Sequence, residues 1–586
     1  MADKKHHYHK KKSRLITRQG IMDKYGLTPR LIGQCLPAPK EVIREGHEGE
    51  PPLLKWREQD VIDAVNNDPR IKAAFERRDR KKAEKEKRDR DALSFLEQFS
   101  PESLLEEGSR LQRHFILHVG PTNSGKTYHS LEKLKTVAAG VYLGPLRLLA
   151  LEVFEKMNGA GCPCSLLTGE ESIEVPFSGI TASTIELADY AQHYDVAVID
   201  EAQMLADPSR GPHWTRAICE IDADEVHICL APEAEDLIVR MVERLGSPYE
   251  IVRHERLVPL YFSGVFREIS EVKPGDALIT FSRRGVLQLA AALEAVGIKA
   301  SVIYGALPPA SRREEVRRFS EKETPVVVAT DAIGMGISLP IRRIIFVDTE
   351  KFDGVHTRPL LPTEIRQIAG RAGRFGRYDR GDVLTMAQPR LIARALSQPI
   401  RPIEKLTIAF PEEALDYDAS LAVMLRCWDS LPGNALFARE DMRAAEFLLQ
   451  KIGVVPNRVE KSLLYSLVTC PVDVKNDLLV SYWRICCQSI MRGQKVPRPY
   501  FEEDSLEHCE LQYHAYDVYH QLLRRVGLED DCQTEKAALS QKINAFLKEK
   551  KTDFLRRCRV CGREMKIQDK YSVCDDCYRL QLSKGW

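Results

Sequence analysis

The sequence has no uninterrupted apolar stretch near the ~18 to 20 residues that a membrane span requires. Its 586 residues are 44% hydrophobic and 29% charged, which is typical of a globular protein in water. Residues 1–12 are basic but are not followed by an apolar segment. The presence of Asp3 and the bias of this segment toward Lys and His fit a transit peptide poorly. These absences argue against a membrane or secreted protein, and we expect a cytoplasmic location.

The sequence also lacks a disulfide framework and a large net charge. Of the 15 cysteines, four form two CxxC pairs at the end of the chain, and the others are scattered. This is not a disulfide framework, and it fits a reducing compartment with one metal site. The net charge is only +1 because basic and acidic segments cancel, so global charge says nothing about nucleic-acid binding.

Residues 1–66 predict a basic tail and a small helical module that resembles a helix-turn-helix. Thr17 can cap a first short helix, and Thr28 with Pro29 can start a second. A third helix is expected over residues 60–65, as in small winged-helix modules. A packing domain with no nucleic-acid contact is an equal alternative.

Residues 67–113 are expected to be a charged helical linker. The block at residues 76–90 mixes both signs of charge among helix formers and has little to bury. An exposed helix is therefore predicted, with RNA binding by it the less favoured interpretation.

The middle of the chain alternates short apolar runs with helical stretches, which indicates buried parallel strands between helices. The runs are at residues 115–119, 140–143, 180–182, 196–199, 226–230, 277–281, 300–303, 326–329 and 344–347. We predict two tandem α/β domains, 114–255 and 256–400, joined near residues 252–259. A helical domain is predicted over 401–550, with helical spacing at 438–452 and 509–526, followed by a cysteine module over 551–586.

A phosphate-binding loop follows the first apolar run. The G-x-x-x-x-G-K-T pattern lies between a predicted strand and a predicted helix, which makes the match specific. Its residues are Gly120, Pro121, Thr122, Asn123, Ser124, Gly125, Lys126 and Thr127. The glycines allow backbone N–H groups to wrap phosphates, Lys126 supplies charge between the β- and γ-phosphates, and Thr127 can ligate Mg²⁺. The loop therefore predicts a bound nucleoside triphosphate.

Two carboxylates, Asp200 and Glu201, stand at the end of another buried run, where parallel strands converge on ligands. Asp200 is expected to hold Mg²⁺. Glu201 is then placed to orient and deprotonate the attacking water. An ordinary surface turn is the alternative, which the preceding phosphate loop disfavours.

An arginine-rich run, residues 367–374, completes the predicted hydrolysis machinery. Arg371 and Arg374 are three apart and are expected to share one face of a helix. Two guanidinium groups suit the charge on a γ-phosphate in its transition state, where an arginine finger contributes ~10³ to 10⁵ in rate. If the run belongs to the second domain, hydrolysis requires the domains to close. The alternative, a basic helix packed on acidic neighbours, is disfavoured by the small Ala-Gly pairs around the arginines.

With these motifs, the chain resembles superfamily 2 helicases of the DExH type, and most closely the RNA helicases of the mitochondrial degradosome and their bacterial relatives. The matching stretches are GPTNSGKT at 120–127, GPLRLLA at 144–150, DEAQ at 200–203, YGALPP at 304–309, ATDAIGMG at 329–336 and QIAGRAGRFG at 367–376. The resemblance implies two RecA-like P-loop domains and an ATP-driven motor. Such a motor unwinds RNA or RNA/DNA duplexes from a single-stranded tail in the 3′-to-5′ direction.

The resemblance also implies roles for individual residues. Contacts with the backbone of the nucleic-acid strand would come from Pro145, Arg147, Thr184, Ser282, Arg283 and Thr330. The nucleotide cleft would be completed by Gln203, Asp331, Gly334, Gly336 and Gln367. The stretch 230–233 would couple hydrolysis to movement. No adenine-reading glutamine motif precedes Gly120, so selectivity for ATP stays open.

The two CxxC pairs at the end of the chain predict a zinc site. Twelve residues separate the pairs, whose members are Cys558, Cys561, Cys574 and Cys577. Four thiolates in two such knuckles suit tetrahedral Zn²⁺, with a redox or iron-bound version as the alternative. Nearby arginines would allow contact with nucleic acid, and a purely structural ribbon is an equal alternative.

Taken together, the motifs favour a monomeric, Mg-ATP-dependent RNA helicase that acts on single-stranded or tailed duplex nucleic acid. An exoribonuclease is an expected partner if the chain assists RNA decay, and no membrane role is expected. Two other hypotheses are a DNA helicase or translocase in repair, suggested by the helix-turn-helix-like start, and an ATP-gated clamp that recruits a nuclease.

Overall fold

The computed structural model of the chain describes most of its residues. These are 15–43, 53–99, 101–169, 171–334, 339–354, 356–431, 435–456, 458–502, 505–549, 554–555, 557–563, 565, 573–574 and 576–578. They fall into two compact units, Met1–Phe95 and Leu96–Trp586. Within these ranges, no helix combines the length and the apolar character that crossing a membrane requires.

The first unit combines short helices with an antiparallel sheet. Its elements are β1 (Leu15–Thr17), α1 (Arg18–Tyr25), α2 (Pro29–Cys35), β2 (Glu41–Ile43), β3 (Leu53–Arg57), α3 (Glu58–Asn67) and α4 (Pro69–Leu96). Thr17 and Thr28 cap α1 and α2 with their side chains, as predicted. The strands pair in the order β1-β3-β2, so the module is not purely helical as the sequence predicted. Strands β1 and β2 have three residues each, too few to show an alternating pattern.

The predicted charged block forms the middle of the long helix α4. Side chains from 76 to 88 are all exposed. The helix therefore satisfies its backbone internally while its side chains stay in water, as expected for a segment with little apolar surface.

The second unit begins with an α/β domain built on a mostly parallel sheet. Its helices are α5 (Pro101–Gly108), α6 (Lys126–Leu134), α7 (Arg147–Gly159), α8 (Gly211–Glu220) and α9 (Glu235–Arg244). Its strands are β4 (His114–Val119), β5 (Gly140–Gly144), β6 (Cys164–Leu167), β7 (Ser172–Ile173), β8 (Ile180–Thr184), β9 (His193–Ile199), β10 (Asp222–Leu230) and β11 (Tyr249–Arg253). The strand order is β11-β4-β10-β9-β5-β8-β6-β7, and the β6–β7 pair is antiparallel. The central strands are buried, which explains their continuous apolar sequences.

A second α/β domain follows. Its strands are β12 (Leu260–Val265), β13 (Asp276–Ile279), β14 (Ala300–Ile303), β15 (Val326–Ala329), β16 (Arg343–Phe346), β17 (Glu350–Phe352), β18 (Thr357–Pro359) and β19 (Gly381–Thr385). Its helices are α10 (Arg283–Ala295), α11 (Pro309–Ser320), α12 (Pro362–Ala369) and α13 (Pro389–Ser397). The parallel sheet has the order β12-β19-β16-β13-β15-β14, so the prediction of two tandem α/β domains is confirmed.

The remaining elements are mainly helices. They are β20 (Leu406–Ile408), α14 (Leu421–Ser430), β21 (Phe437–Arg439), α15 (Arg443–Lys451), α16 (Lys461–Val468), α17 (Asp477–Arg492), α18 (Leu506–Arg525) and α19 (Gln533–Glu549). The prediction of helix from residue 438 is wrong at its start, because β21 pairs there with β20 and the helix begins at Arg443. Leu506, Cys509 and Tyr513 of α18 share a core with Tyr304 and Leu307, so this region packs on the second α/β domain.

Candidate nucleotide-hydrolysis site

The phosphate loop, residues 120–127, connects β4 to α6. Gly125 has φ of +82°, a left-handed conformation that favours glycine, and α6 begins directly after it at Lys126. The Lys126 side chain is buried, and its Nζ donates to the carbonyl oxygen of Gly120 at 3.1 Å. The loop therefore presents the N-terminus of a helix together with a buried cation, a combination suited to phosphate.

Asp200 lies at the carboxyl end of β9, beside the start of α6. Its Oδ1 accepts a hydrogen bond from Thr127 Oγ1 at 3.2 Å, and its Oδ2 accepts one from the hydroxyl of Tyr142 at 2.9 Å. Burial, with the charge of Glu201, raises the pKa of Asp200 to about 6. The hydroxyl of Thr127 and the carboxylate of Asp200 are hard oxygen donors of the kind that Mg²⁺ prefers. These two predicted metal ligands are thus adjacent.

Glu201 and Gln203 form a link from this site to the next strand. Glu201 has φ of +51°, and its carboxylate accepts a hydrogen bond from Gln203 Nε2. The other end of the same carboxamide, Oε1, accepts from the backbone N–H of Ala231 at 3.1 Å. Gln203 therefore fixes the predicted catalytic base to the stretch 230–233, which begins at the last residue of β10.

The arginine-rich run departs from its predicted shape. Helix α12 ends at Ala369, so Arg371 and Arg374 lie beyond it and the prediction that they share a helix face is wrong. Gly373 has φ of +72°, and a Cβ there would lie 2.6 Å from the backbone nitrogen of Gly381. The chain leaves the helix here because it passes close to β19. Residues 370–374 are called the arginine loop.

Arg371 lies among other predicted site residues of the second domain. Its Nη2 and Nε donate to the carbonyl oxygen of Gly334 at 2.7 and 3.1 Å. A Cβ on Gly334 would lie 3.5 Å from Cγ of Gln367, so these three residues are neighbours. Asp331 begins the short helical turn that ends at Gly334, and its carboxylate pairs with Lys351 Nζ at 3.3 Å. Gly336 lies outside the described residues.

Arg374 is half-buried, and its surroundings include the first domain. Burial lowers the pKa of its guanidinium, and the carboxylate of Glu152 on α7 opposes that shift. The arginine loop therefore faces both domains.

The phosphate loop and the arginine loop are in direct contact. Asn123 Nδ2 donates to the carbonyl oxygen of Gly373 at 2.8 Å. A Cβ on Gly370 would lie only 2.8 Å from Cβ of Thr122, so Gly370 lies close against the Thr122 side chain. Arg256, in the connection between the domains, donates to the carbonyl oxygens of both Thr122 and Gly370 at 2.9 Å. Sequence reasoning missed Arg256, because carbonyl partners leave no side-chain pattern.

The residues predicted to contact a nucleic-acid strand follow the carboxyl ends of strands in both domains. Pro145 follows β5, and Thr184 ends β8. Ser282 follows β13, where its hydroxyl caps α10 by accepting from Gly285 N–H at 2.9 Å, and Thr330 follows β15. Parallel sheets bind ligands at this edge.

Two arginines of this set have neighbours that the sequence did not indicate. Arg283 Nε lies 2.7 Å from a carboxylate oxygen of Glu510 on α18, and that carboxylate also accepts from the hydroxyl of Tyr304. Arg147 begins α7, and a Cβ on Gly169 would lie 3.4 Å from its Nη2. Arg283 is therefore tied to the helical region, while Arg147 lies beside the end of β6.

The four cysteines at the end of the chain converge. One ligand atom from each of Cys558, Cys561, Cys574 and Cys577 lies within 4.8 Å of all the others. Backbone N–H donors, led by that of Cys574 at 3.3 Å, lower the pKa of the Cys558 thiol to about 6. Thiolate is the form that binds metal. This donor set fits a tetrahedral Zn²⁺ site.

Comparison with protein families identifies both α/β domains. Residues 101–254 match the DEXQ-box helicase domain of Suv3, and residues 262–376 match the Helicase conserved C-terminal domain. The chain thus contains a Suv3-type helicase domain followed by a helicase C-terminal domain. The resemblance to DExH-type helicases is confirmed.

Curated relatives agree with this assignment. The ATP-dependent RNA helicase SUV3L, mitochondrial, of Oryza sativa is 41% identical over 309 residues, covering 51% of this chain and 42% of the relative. SUPV3L1, mitochondrial, of Homo sapiens is 41% identical over 319 residues, covering 52% and 40%. SUV3, mitochondrial, of Candida albicans is 41% identical over 320 residues, covering 53% and 44%. The matched region spans less than half the length of these relatives.

The names of these relatives correct one expectation. Each is named as a mitochondrial protein, so the cytoplasmic location inferred from the sequence is wrong. Part of that inference depended on the composition of residues 1–12, which lie outside the described residues.

Proposed function

We propose that this chain is an ATP-dependent RNA helicase that separates RNA or RNA/DNA duplexes as it moves 3′ to 5′ on a single-stranded tail. The observation that carries the proposal is the contact between the phosphate loop and the arginine loop across the two helicase domains. The relatives are all named as ATP-dependent RNA helicases, which favours ATP as the nucleotide that is hydrolysed and RNA as the nucleic acid that is bound.

In hydrolysis, each domain contributes a different part of the chemistry. Lys126 and the N–H groups of the phosphate loop would hold the β- and γ-phosphates, and Thr127 with Asp200 would hold Mg²⁺. Glu201, oriented by Gln203, would take a proton from the attacking water. Arg371 and Arg374 would neutralise charge that develops on the γ-phosphate, as arginine fingers do.

Movement would follow from the connections of the first domain. Gln203 ties Glu201 to Ala231, and the carbonyl oxygen of Glu233 accepts from Ile403 N–H at 2.7 Å. The hydrolysis site is thereby joined through residues 231–233 to the start of the helical region. The strand would lie across the carboxyl edges of both sheets, where Thr184 and Thr330 stand. Such backbone contacts give sequence-tolerant, salt-sensitive binding.

The cysteine cluster is proposed to hold one Zn²⁺ that organises the end of the chain. Four converging sulfur atoms support this assignment. An exoribonuclease partner and a monomeric state remain predictions, to be tested by pull-down and by sedimentation.

The proposed function is tested by strand displacement on duplexes of matched sequence. RNA/RNA, RNA/DNA and DNA/DNA substrates would each carry a 3′ or a 5′ tail, with Mg-ATP present or absent. We expect ATP-dependent separation of 3′-tailed duplexes that contain RNA and none with Lys126→Ala, because that variant lacks the cation between the phosphates.

Three results would contradict the proposal. Displacement of DNA/DNA alone would favour a DNA helicase, and ATP hydrolysis with no displacement would favour a clamp. Displacement that persists in Lys126→Ala would show that this phosphate loop does not drive the reaction.

A further inference from the structure

Arg256 occupies the short connection between the two helicase domains and contacts backbone from three segments. Its Nε donates to Val258 O at 2.6 Å, and its Nη1 donates to Thr122 O and Gly370 O, each at 2.9 Å. Its Nη2 donates to Ala372 O at 2.5 Å. These carbonyls belong to the connection, the phosphate loop and the arginine loop, so one side chain joins all three.

The chemistry of this arrangement is particular to arginine. A guanidinium carries five N–H donors in a planar fork, whereas an ammonium carries three donors at one point. Arg256 is partly buried, and this burial lowers its pKa to about 10. Among the described residues, its hydrogen-bond partners are neutral carbonyls. Directional hydrogen bonds therefore hold the group in place.

Two further contacts hold the same junction together. The backbone N–H of Leu257, the next residue, donates to Asn123 O at 3.1 Å. Asn123 in turn donates from Nδ2 to Gly373 O at 2.8 Å. The phosphate loop is thus fixed to the connection on one side and to the arginine loop on the other.

We propose that Arg256 is a positioning residue for ATP hydrolysis. By binding Gly370 and Ala372 on either side of Arg371, it fixes the backbone of the arginine loop against the phosphate loop. The position of the arginine side chains relative to the γ-phosphate then follows from that backbone. This inference rests on the proposed function, because positioning matters for rate only if the arginine loop takes part in hydrolysis.

A positioning role predicts a specific kinetic pattern. In Arg256→Ala the phosphate loop still binds the nucleotide, so KM for ATP should change by less than about threefold. The arginine loop loses its fixed place, and because misplacement by about 1 Å can cost roughly 100-fold, kcat for RNA-stimulated hydrolysis should fall by about that factor. Millimolar guanidinium ion should restore part of the lost kcat, since it can occupy the same set of carbonyls.

Two other variants set the limits of the effect. Arg256→Lys keeps the charge but not the planar fork, so we expect it to recover little of the lost kcat. Arg253→Ala is the matched control, because Arg253 lies three residues earlier, is exposed and pairs with Glu235 at 2.6 Å. It should keep kcat within about twofold of the unaltered enzyme.

Hydrogen exchange provides a readout that needs no ATPase activity. In Arg256→Ala without nucleotide, backbone amides of residues 370–374 should exchange roughly tenfold faster, while those of β13 and β15 should not change. If the unaltered enzyme hydrolyses no ATP yet this local change appears, the proposed function fails and the role of Arg256 in fixing the loop is retained.

The proposal is overturned by any of three results. These are a kcat within about threefold of the unaltered enzyme in Arg256→Ala, full recovery of kcat in Arg256→Lys, and faster exchange throughout the second domain. The first shows that Arg256 is dispensable, the second that only its charge matters, and the third that its role is general stability.

Discussion

The two helicase domains differ in where their functional side chains find partners. In the first domain the contacts of three such side chains stay inside the domain: Lys126 donates to Gly120, Thr127 to Asp200, and Gln203 accepts from Ala231. This set, together with Glu201, is called the first half-site.

In the second domain, Arg371 binds Gly334 of the same domain, but other partners come from elsewhere in the chain. The arginine loop is held by Asn123 of the phosphate loop and by Arg256 of the connection. Arg283 and Tyr304 both contact Glu510 on α18. This second half-site, the arginine loop with Arg283 and Tyr304, therefore depends on tertiary structure, whereas the first is built by its own strands and turns. Changes at distant positions should disturb the second and spare the first.

The largest expected effect is a loss of kcat when an arginine of the arginine loop is replaced. Arg371→Ala should lower kcat of RNA-stimulated hydrolysis by ~10³ or more, with little change in KM for ATP, because the guanidinium acts on charge that develops in the transition state. Steady-state kinetics measures this. Arg377→Ala, an exposed position shortly after the loop, is the control and should stay close to the unaltered enzyme. A loss below about tenfold in Arg371→Ala would mean that the second half-site is not catalytic.

The next effect is a loss of folding stability when the contact between α18 and the second half-site is removed. The carboxylate of Glu510 is buried, and Glu510→Ala would leave Arg283 and the Tyr304 hydroxyl without it. Removing one member of a buried pair costs ~3 to 5 kcal/mol, and we expect about 3 because Arg283 is partly exposed. Thermal denaturation measures the loss, with exposed Glu507→Ala on the same helix as control. Equal melting temperatures for the two variants would show that α18 does not support the site.

The folding stability of the first domain should depend on pH through His118. His118 on β4 contacts His227 at 2.9 Å and His254 at 3.0 Å, and burial lowers its pKa to about 3 from an ordinary 6.5. As pH falls through about 6.5, His118 becomes protonated in the unfolded chain but stays neutral in the folded chain. The stability contributed is therefore present above pH 6.5 and is lost as pH falls below it, by about 2 kcal/mol at pH 5.

The measurement compares thermal stability at pH 7.5 and pH 5 for the unaltered chain and for His118→Gln. The variant cannot titrate at this position, so its loss on acidification should be smaller by about 2 kcal/mol. Identical losses in both chains would show that His118 is not buried in its neutral form.

The smallest expected effect on hydrolysis comes from the cysteine cluster, which belongs to neither half-site. Metal analysis should find one Zn²⁺ per chain and none in Cys561→Ser/Cys574→Ser. ATP hydrolysis should stay within about threefold when zinc is removed, because no residue of either half-site is a ligand. Iron in place of zinc, or loss of hydrolysis together with the metal, would contradict this separation.

The same contrast explains what could be predicted from sequence. The phosphate loop, Asp200 and Glu201 were placed correctly relative to strands because their geometry depends on neighbouring residues along the chain. The helix predicted through Arg371 and Arg374 was wrong, because the helix ends where Gly370 approaches the side chain of Thr122 and Gly373 approaches the backbone of Gly381. The spacing of residues along the chain does not predict that approach.

Other features left no pattern in the sequence. Strand β21 exists by pairing with β20, although its sequence continues into an apolar helix. Arg256 binds carbonyls, which every residue has, and the partner of Arg283 is more than two hundred residues away. Such contacts become visible only once the chain is folded.

The proposed nucleotide-hydrolysis site is tested by RNA-stimulated ATP hydrolysis of the unaltered chain, Lys126→Ala and Glu201→Ala, measured side by side. Both substitutions remove a chemical group of the first half-site, the phosphate cation in one and the base in the other. We predict stimulation by single-stranded RNA in the unaltered chain and its loss in both variants. Stimulated hydrolysis that persists in both would contradict the assignment of this site.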